Sequence, residues 1–321
     1  MLSRRLIRVK VFKVLFSKVA SGSDSLIGAE NELIASCEKT RDLYIFLLNL
    51  PIALKKTAQI KIDGGLKKFH PTQEEASPNL KFVQNSFIEI LENDADFLKA
   101  VEVKGLNWNE YDSFLKKLFA SISQSEYFKA YMESGESSLE EDTKLIKDIF
   151  TYSLEDNLDL EEILEDLSIF WMNDLEYVLN KIIANIDKYS KKKKINLPDT
   201  FLQSEDLDYA KKLLSKSMMN YDEYTEIVSS MVPNWDLERL VATDLALIVM
   251  GITEAVNFDS IPLKVTINEF VDISKYYSTP NSKVFVNGIL DKVLVQMQND
   301  GKIQKKGRGL VGTLANSNKN D

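Results

Sequence analysis

The chain has 321 residues, with twelve glycines, seven prolines, a single histidine (His70), a single cysteine (Cys37) and a formal net charge of −9. So few turn residues exclude a sandwich or barrel, which needs a turn roughly every 8–12 positions. One cysteine and one histidine exclude a zinc site and an internal disulfide. No catalytic residues, metal or cofactor are expected.

The predicted elements are helical throughout. Ser3 caps a first helix that runs to about Val19 and stops at Ser21-Gly22-Ser23. A second starts near Ala29, restarts at Pro51 and ends at Asp63-Gly64-Gly65, and residues 63–79 read as a loop holding His70. Phe82, Phe87, Ile90, Leu91, Phe97 and Leu98 give one apolar face, and Phe114, Leu115, Leu118, Phe119 and Ile122 another. Ser138 to Glu141 fits a capping box, and one helix is expected from Asp159 through Ile182. The lysine run 191–194 reads as a helix end favoured by its dipole, ahead of a phosphate contact. Later helices are expected over 207–219, 221–231, 235–255, 265–277 and 282–297, with Pro233, Pro262 and Pro280 between them, followed by a disordered tail. The expected divisions are therefore 1–62, a helical insertion 63–200, a C-terminal bundle 201–300 and a tail 301–321.

The net charge conceals a segregation. Residues 1–20 carry Arg4, Arg5, Arg8, Lys10, Lys13 and Lys18 and no acid. Residues 133–166 carry thirteen acids against Lys144 and Lys147, so that block alone is more negative than the whole chain. An acid excess of that size repels phosphate and is expected to face away from the first helix. No apolar run approaches the roughly 18–20 residues of a membrane span. No membrane partner is expected, and a cytoplasmic location is. An arginine-rich, acid-free start is also the composition of a transit peptide.

Arg4, Arg5 and Arg8 stand in the first turns of a helix, where the dipole disfavours cations. At 100° per residue they share one arc. Guanidinium forks beside free amide groups suit an anion. Gly288 within a helix reads as a close helix contact, and Asn268 and Asn287 as buried hydrogen-bonding groups.

Three blocks carry the specific signal. Trp235-Asp236-Leu237-Glu238-Arg239-Leu240 leads into Asp244 and Glu254. Ile261-Pro262-Leu263-Lys264-Val265-Thr266-Ile267-Asn268-Glu269 follows, then Ser282-Lys283-Val284-Phe285-Val286-Asn287-Gly288-Ile289-Leu290-Asp291. This succession resembles the NusB transcription antitermination family, whose pattern reads IPxxVxINE and then FVNGxLD. The arginine-led first helix resembles that family's opening, which favours a folded helix over a transit peptide. The likeness covers about residues 3–50 and 205–298, so the chain looks like an expanded member.

The resemblance implies an all-α pair of small bundles with a helical insertion, and a non-catalytic protein that binds boxA-type single-stranded RNA. It also implies a partner, the small-subunit ribosomal protein NusE, and a role in the transcription elongation complex on ribosomal RNA operons. RNA contacts are expected at Arg4, Arg5, Arg8, Asn281, Ser282, Lys283 and Phe285, with Phe285 as the stacking aromatic. Where the family commonly has an Asp-Ser pair, this chain has Asn281-Ser282, and the lost carboxylate removes a repulsion. Partner contacts are expected at Phe16, Glu238 and Asp244. Two other readings stand beside this one: a helical adaptor that has lost RNA binding, and the RNA-binding module of a ribosomal RNA methyltransferase. The second would need a glycine-rich nucleotide loop after a strand, and Gly64-Gly65 has no strand before it.

Overall fold

A computed structural model describes residues 1–135, 137–231 and 241–311. Its named elements are all helical. It divides into two compact units: Met1 with Glu38–Thr200, and Leu2–Cys37 with the chain from Phe201 onward. The sequence placed the first boundary after residue 62, whereas the compact units part at Cys37, inside a helix.

The opening helix α1 (Arg4–Ser21) is capped as its sequence predicts. The Ser3 hydroxyl accepts from Leu6 N–H at 3.3 Å, and Gly22 closes the helix at φ 64°, in the left-handed region where glycine carries no Cβ penalty. Helix α2 (Leu26–Leu48) follows and carries the chain from one unit to the other.

The unit of Met1 with Glu38–Thr200 continues with α3 (Leu50–Leu66), α4 (Gln73–Ala76), α5 (Ser86–Asn93), α6 (Ala95–Lys104), α7 (Asp112–Gln124), α8 (Glu126–Glu133), α9 (Leu139–Tyr152), α10 (Leu158–Leu167) and α11 (Leu175–Lys192). Pro51 lies in the first turn of α3, where its missing N–H costs nothing. That helix runs through Gly64 and Gly65, and Thr72 with Glu75 forms a capping box that gives the expected loop a short helix of its own. The single helix expected from Asp159 to Ile182 is broken by a 3-10 turn at Ile169–Trp171. Tertiary packing overrides the periodicity there. Trp171 turns into the core, stacks on Phe46 at 5.5 Å and donates its indole N–H to the Lys39 carbonyl at 2.6 Å. Trp108 stacks on the other side, 4.0 Å from Phe46. The lysine run 191–194 closes α11, with Lys193 in the left-handed region at φ 48°.

The terminal unit is completed by α12 (Glu205–Met219), α13 (Tyr221–Met231), α14 (Ala242–Asn257), α15 (Leu263–Tyr277) and α16 (Ser282–Asn299). Helix α14 is its axis, because Ala246–Ala255 are buried all round and α1, α12, α13, α15 and α16 all pack on it. The close-contact glycine is Gly251. A Cβ there would lie 2.7 Å from a Leu290 methyl of α16. Gly288, expected in that role, is exposed with nothing within 4 Å of such a Cβ, which corrects the expectation. Asn268 and Asn287 are likewise exposed rather than buried. Residues 301–311 are ordered rather than disordered. Ile303 is buried, and the Lys305 ammonium donates to the Ala255 and Phe258 carbonyls at 2.8 and 3.0 Å, satisfying the end of α14. Burial lowers the Lys305 pKa, with Glu254 and Asp259 opposing that shift. Residues 312–321 lie outside the described residues.

Candidate nucleic-acid interface

Helix α1 brings its arginines to acids of the same unit. Arg8 is 3% exposed, its Nε donating to Glu254 at 2.6 Å and an Nη to Glu269 at 3.4 Å. Glu254, fully buried on α14, also accepts from the Tyr209 hydroxyl and from the Thr266 hydroxyl at 2.6 Å. Burial works against the charge on Arg8, but the field of Glu254 and its hydrogen bond outweigh it, and the pKa rises. Tyr209 is pushed well above its usual value by burial and by the same carboxylate.

Arg4 donates to Asp206 at 3.0 Å with its guanidinium 4.9 Å from the centre of the Tyr209 ring. Arg5 makes a fork to both oxygens of Glu269 at 3.1 Å and reaches Asp272 at 2.7 Å. Carboxylates thus stand where the sequence suggested an external anion. Arg5, with 54% of its side chain exposed, is the arginine of the three that most faces solvent. Arg8 points the other way, drawn in by a buried acid. Lys10 is buried too. The acid-rich block 133–166 belongs to the other unit.

The turn between α15 and α16 is held from within. Asp244, at the start of α14, is buried and accepts from the Ser278 hydroxyl at 2.6 Å and the Ser282 hydroxyl at 2.8 Å. Thr279 N–H donates to the Ser282 oxygen at 3.1 Å, and Thr243 pairs with Ser278 at 2.8 Å. Asp244 is therefore an internal clamp, not the exposed acid expected for a partner surface. Ser282 is part of the same clamp. Asn281 and Lys283 are exposed, and Phe285 is half-buried. Phe16 is half-buried against Phe12, their ring centres 6.1 Å apart. Glu238, with the rest of 232–240, lies outside the described residues.

Side chains of α1 and α15 meet along a seam. Arg5 reaches residues 269 and 272, while the Phe12 ring lies 5.7 Å from that of Tyr277 and the Lys13 ammonium 5.4 Å from its centre. The two helices therefore run past each other in the same direction, and the seam ends at the clamped turn. Lys275 pairs with Asp272 at 2.6 Å, and that hydrogen bond, with the charges of Lys275 and Arg5, holds the Asp272 carboxyl below its usual pKa. Arg5 is raised chiefly by its hydrogen bond to Glu269. Sequence reasoning missed the Lys13–Tyr277 contact. The signal was available in the spacing that puts Phe12 and Lys13 two turns beyond Arg5.

Residues 176–295 match the model of the NusB family. The chain is 38% identical over 105 residues to the transcription antitermination protein NusB of Salinibacter ruber, covering 33% of this chain and 66% of that protein. It is 36% identical over 104 residues to the protein of the same name from Chloroherpeton thalassium, covering 32% and 49%. With that of Natranaerobius thermophilus the identity is 33% over 96 residues, covering 30% and 69%. The aligned part thus spans less than two thirds of the first two relatives. No solved structure matches the chain.

Proposed function

The chain belongs to the NusB family, and on that premise we propose that it is an RNA-binding transcription antitermination factor. In this reading it binds boxA-type single-stranded RNA together with NusE in the cytoplasm and supports processive transcription of ribosomal RNA operons. The observation that carries the reading is the turn clamped by Asp244, inside the matched region, which presents Asn281, Lys283 and Phe285 beside the α1–α15 seam.

The roles divide by direction. Arg4, Arg5, Lys283 and Phe285 face the RNA. Arg8 and Ser282 act through position, one holding α1 on α14 and the other fixing the turn. Asn281 keeps a carboxylate away from the phosphates. NusE is contacted by Phe16, and by Glu238 among the residues outside those described, with Asp244 fixing the turn after α15 from inside. Nothing in this scheme is catalytic. Phosphate contacts release counterions, so affinity falls steeply as salt rises.

The carboxylate partners of all three arginines favour a second reading, a helical adaptor whose cations are spent on its own fold. One measurement separates the two: binding of labelled boxA RNA and of a scrambled RNA, each with NusE present, across a salt series. Preferential boxA binding with a steep salt slope supports the antitermination reading. Equal binding to both RNAs, or none, supports the adaptor.

A further inference from the structure

Tyr276 is the outlier among the aromatic residues of the terminal unit. Its side chain is 83% exposed, whereas every other described aromatic there is buried or half-buried. It makes no hydrogen bond, ion pair or ring contact with a described residue, although its neighbour Tyr277 packs on Phe12 beneath Lys13. The fold gains nothing from a phenol ring left in water.

Its position is specific. At 100° per residue along α15, Tyr276 falls between Glu269 and Asp272 on the helix face, one turn beyond the pair that Arg5 bridges. The acids on that face are already matched, Glu269 by Arg5 and Arg8 and Asp272 by Arg5 and Lys275. The ring therefore stands beside paired charges, with Arg5 before it and Lys275 next to it, both bound to those acids, and Lys13 above the next residue. Lys283, just past the clamped turn, makes no ion pair with a described residue. An exposed aromatic face beside solvent-facing cations is what a single strand of nucleic acid needs, since bases stack while phosphates pair.

We propose that the Tyr276 ring is a stacking platform for one base of a single-stranded RNA lying along the α1–α15 seam, an inference that rests on the RNA-binding reading above. Contact through the π face predicts tolerance of any base, with sequence preference left to the turn at Asn281–Phe285.

The test uses the full chain with NusE present and a short, fluorescently labelled single-stranded boxA RNA, with anisotropy measured across a salt series. Tyr276→Ala is expected to weaken binding about tenfold, within the range for one stacked base. Tyr276→Phe, which keeps the ring, retains the affinity of the parent. The Ala variant lowers affinity by the same factor at every salt concentration, because no charge is removed, and an exposed side chain leaves the melting temperature unchanged. Parent-like binding by Tyr276→Ala overturns the proposal, as does a Phe variant as weak as Ala, or a change in salt slope. If the parent binds no RNA, the antitermination reading fails and takes this inference with it. If the parent binds and Tyr276→Ala is silent, only the stacking role falls.

Discussion

Replacing Glu254 with Gln isolates the buried clamp on α1. The side chain keeps its shape, but its single carbonyl oxygen can accept from only one of Tyr209 and Thr266, which bond to different oxygens of the carboxylate, and Arg8 loses its counter-charge. What remains for a guanidinium with 4% of its side chain exposed is Glu269 at 3.4 Å. Leaving one member of a buried ion pair unmatched costs about 3–5 kcal/mol, a large part of the roughly 5–15 kcal/mol that holds an ordinary domain. Glu269→Gln touches the same arginine from a more exposed site and is expected to cost no more than about 1 kcal/mol. Urea unfolding followed by circular dichroism reads both as shifts in midpoint at constant slope. Arg8→Met combined with Glu254→Gln removes both charges and is expected to recover much of the single-variant loss. If Glu254→Gln costs no more than Glu269→Gln, or if the double variant is as unstable as the two singles summed, the clamp reasoning is refuted. RNA affinity measured on Arg8 variants would then need no correction for folding.

Asn281→Asp puts a carboxylate back on an exposed residue at the start of α16, and boxA affinity is expected to fall. Unchanged or tighter binding in a titration counts against phosphate passing there. The depressed pKa of Asp272 carries a definite sign. Its folded value lies below the unfolded one, so its contribution is present above the usual aspartate value near ~3.9 and is lost as pH falls through the folded value. Urea midpoints of Asp272→Asn should accordingly fall less between mildly and strongly acid pH than those of the parent, and parallel curves would remove Asp272 from the acid response. Gly251→Ala pushes a methyl against Leu290 and is expected to cost about 1–3 kcal/mol, read as a lower melting temperature. Gly288→Ala, in open space within a helix, should be neutral or stabilising.

Local chemistry made much of the terminal unit legible. Ser3 and Gly22 bound α1, prolines separate the late helices, and the IPxxVxINE and FVNGxLD blocks fall on α15 and α16. Direction was less legible. The arc of Arg4, Arg5 and Arg8 follows from spacing, but whether it meets water or carboxylate depends on Asp206, Glu254 and Glu269, more than 190 residues along the chain. Gly251 and Gly288 are both helical glycines, and only the position of Leu290 shows which one is needed. Asp244 looks like a surface acid until Ser278 and Ser282 are seen on its two oxygens. The break at Trp171 has the same origin, since its partners Lys39 and Phe46 lie in the opposing segment and no periodicity can announce them.

The separation between Arg8 and Glu254, 246 positions, also sets an order of events during synthesis. At roughly 5–20 residues per second, α1 leaves the ribosome about ten to fifty seconds before the helix that neutralises it. Through that interval a six-cation segment lacks Asp206, Glu254, Glu269 and its apolar cover, with Glu32 of α2 at hand only for Lys18, and it emerges beside ribosomal RNA. Slow translation of the intervening helices would lengthen the exposure, so the waiting time of the nascent first helix is written into the topology of the unit it finally joins.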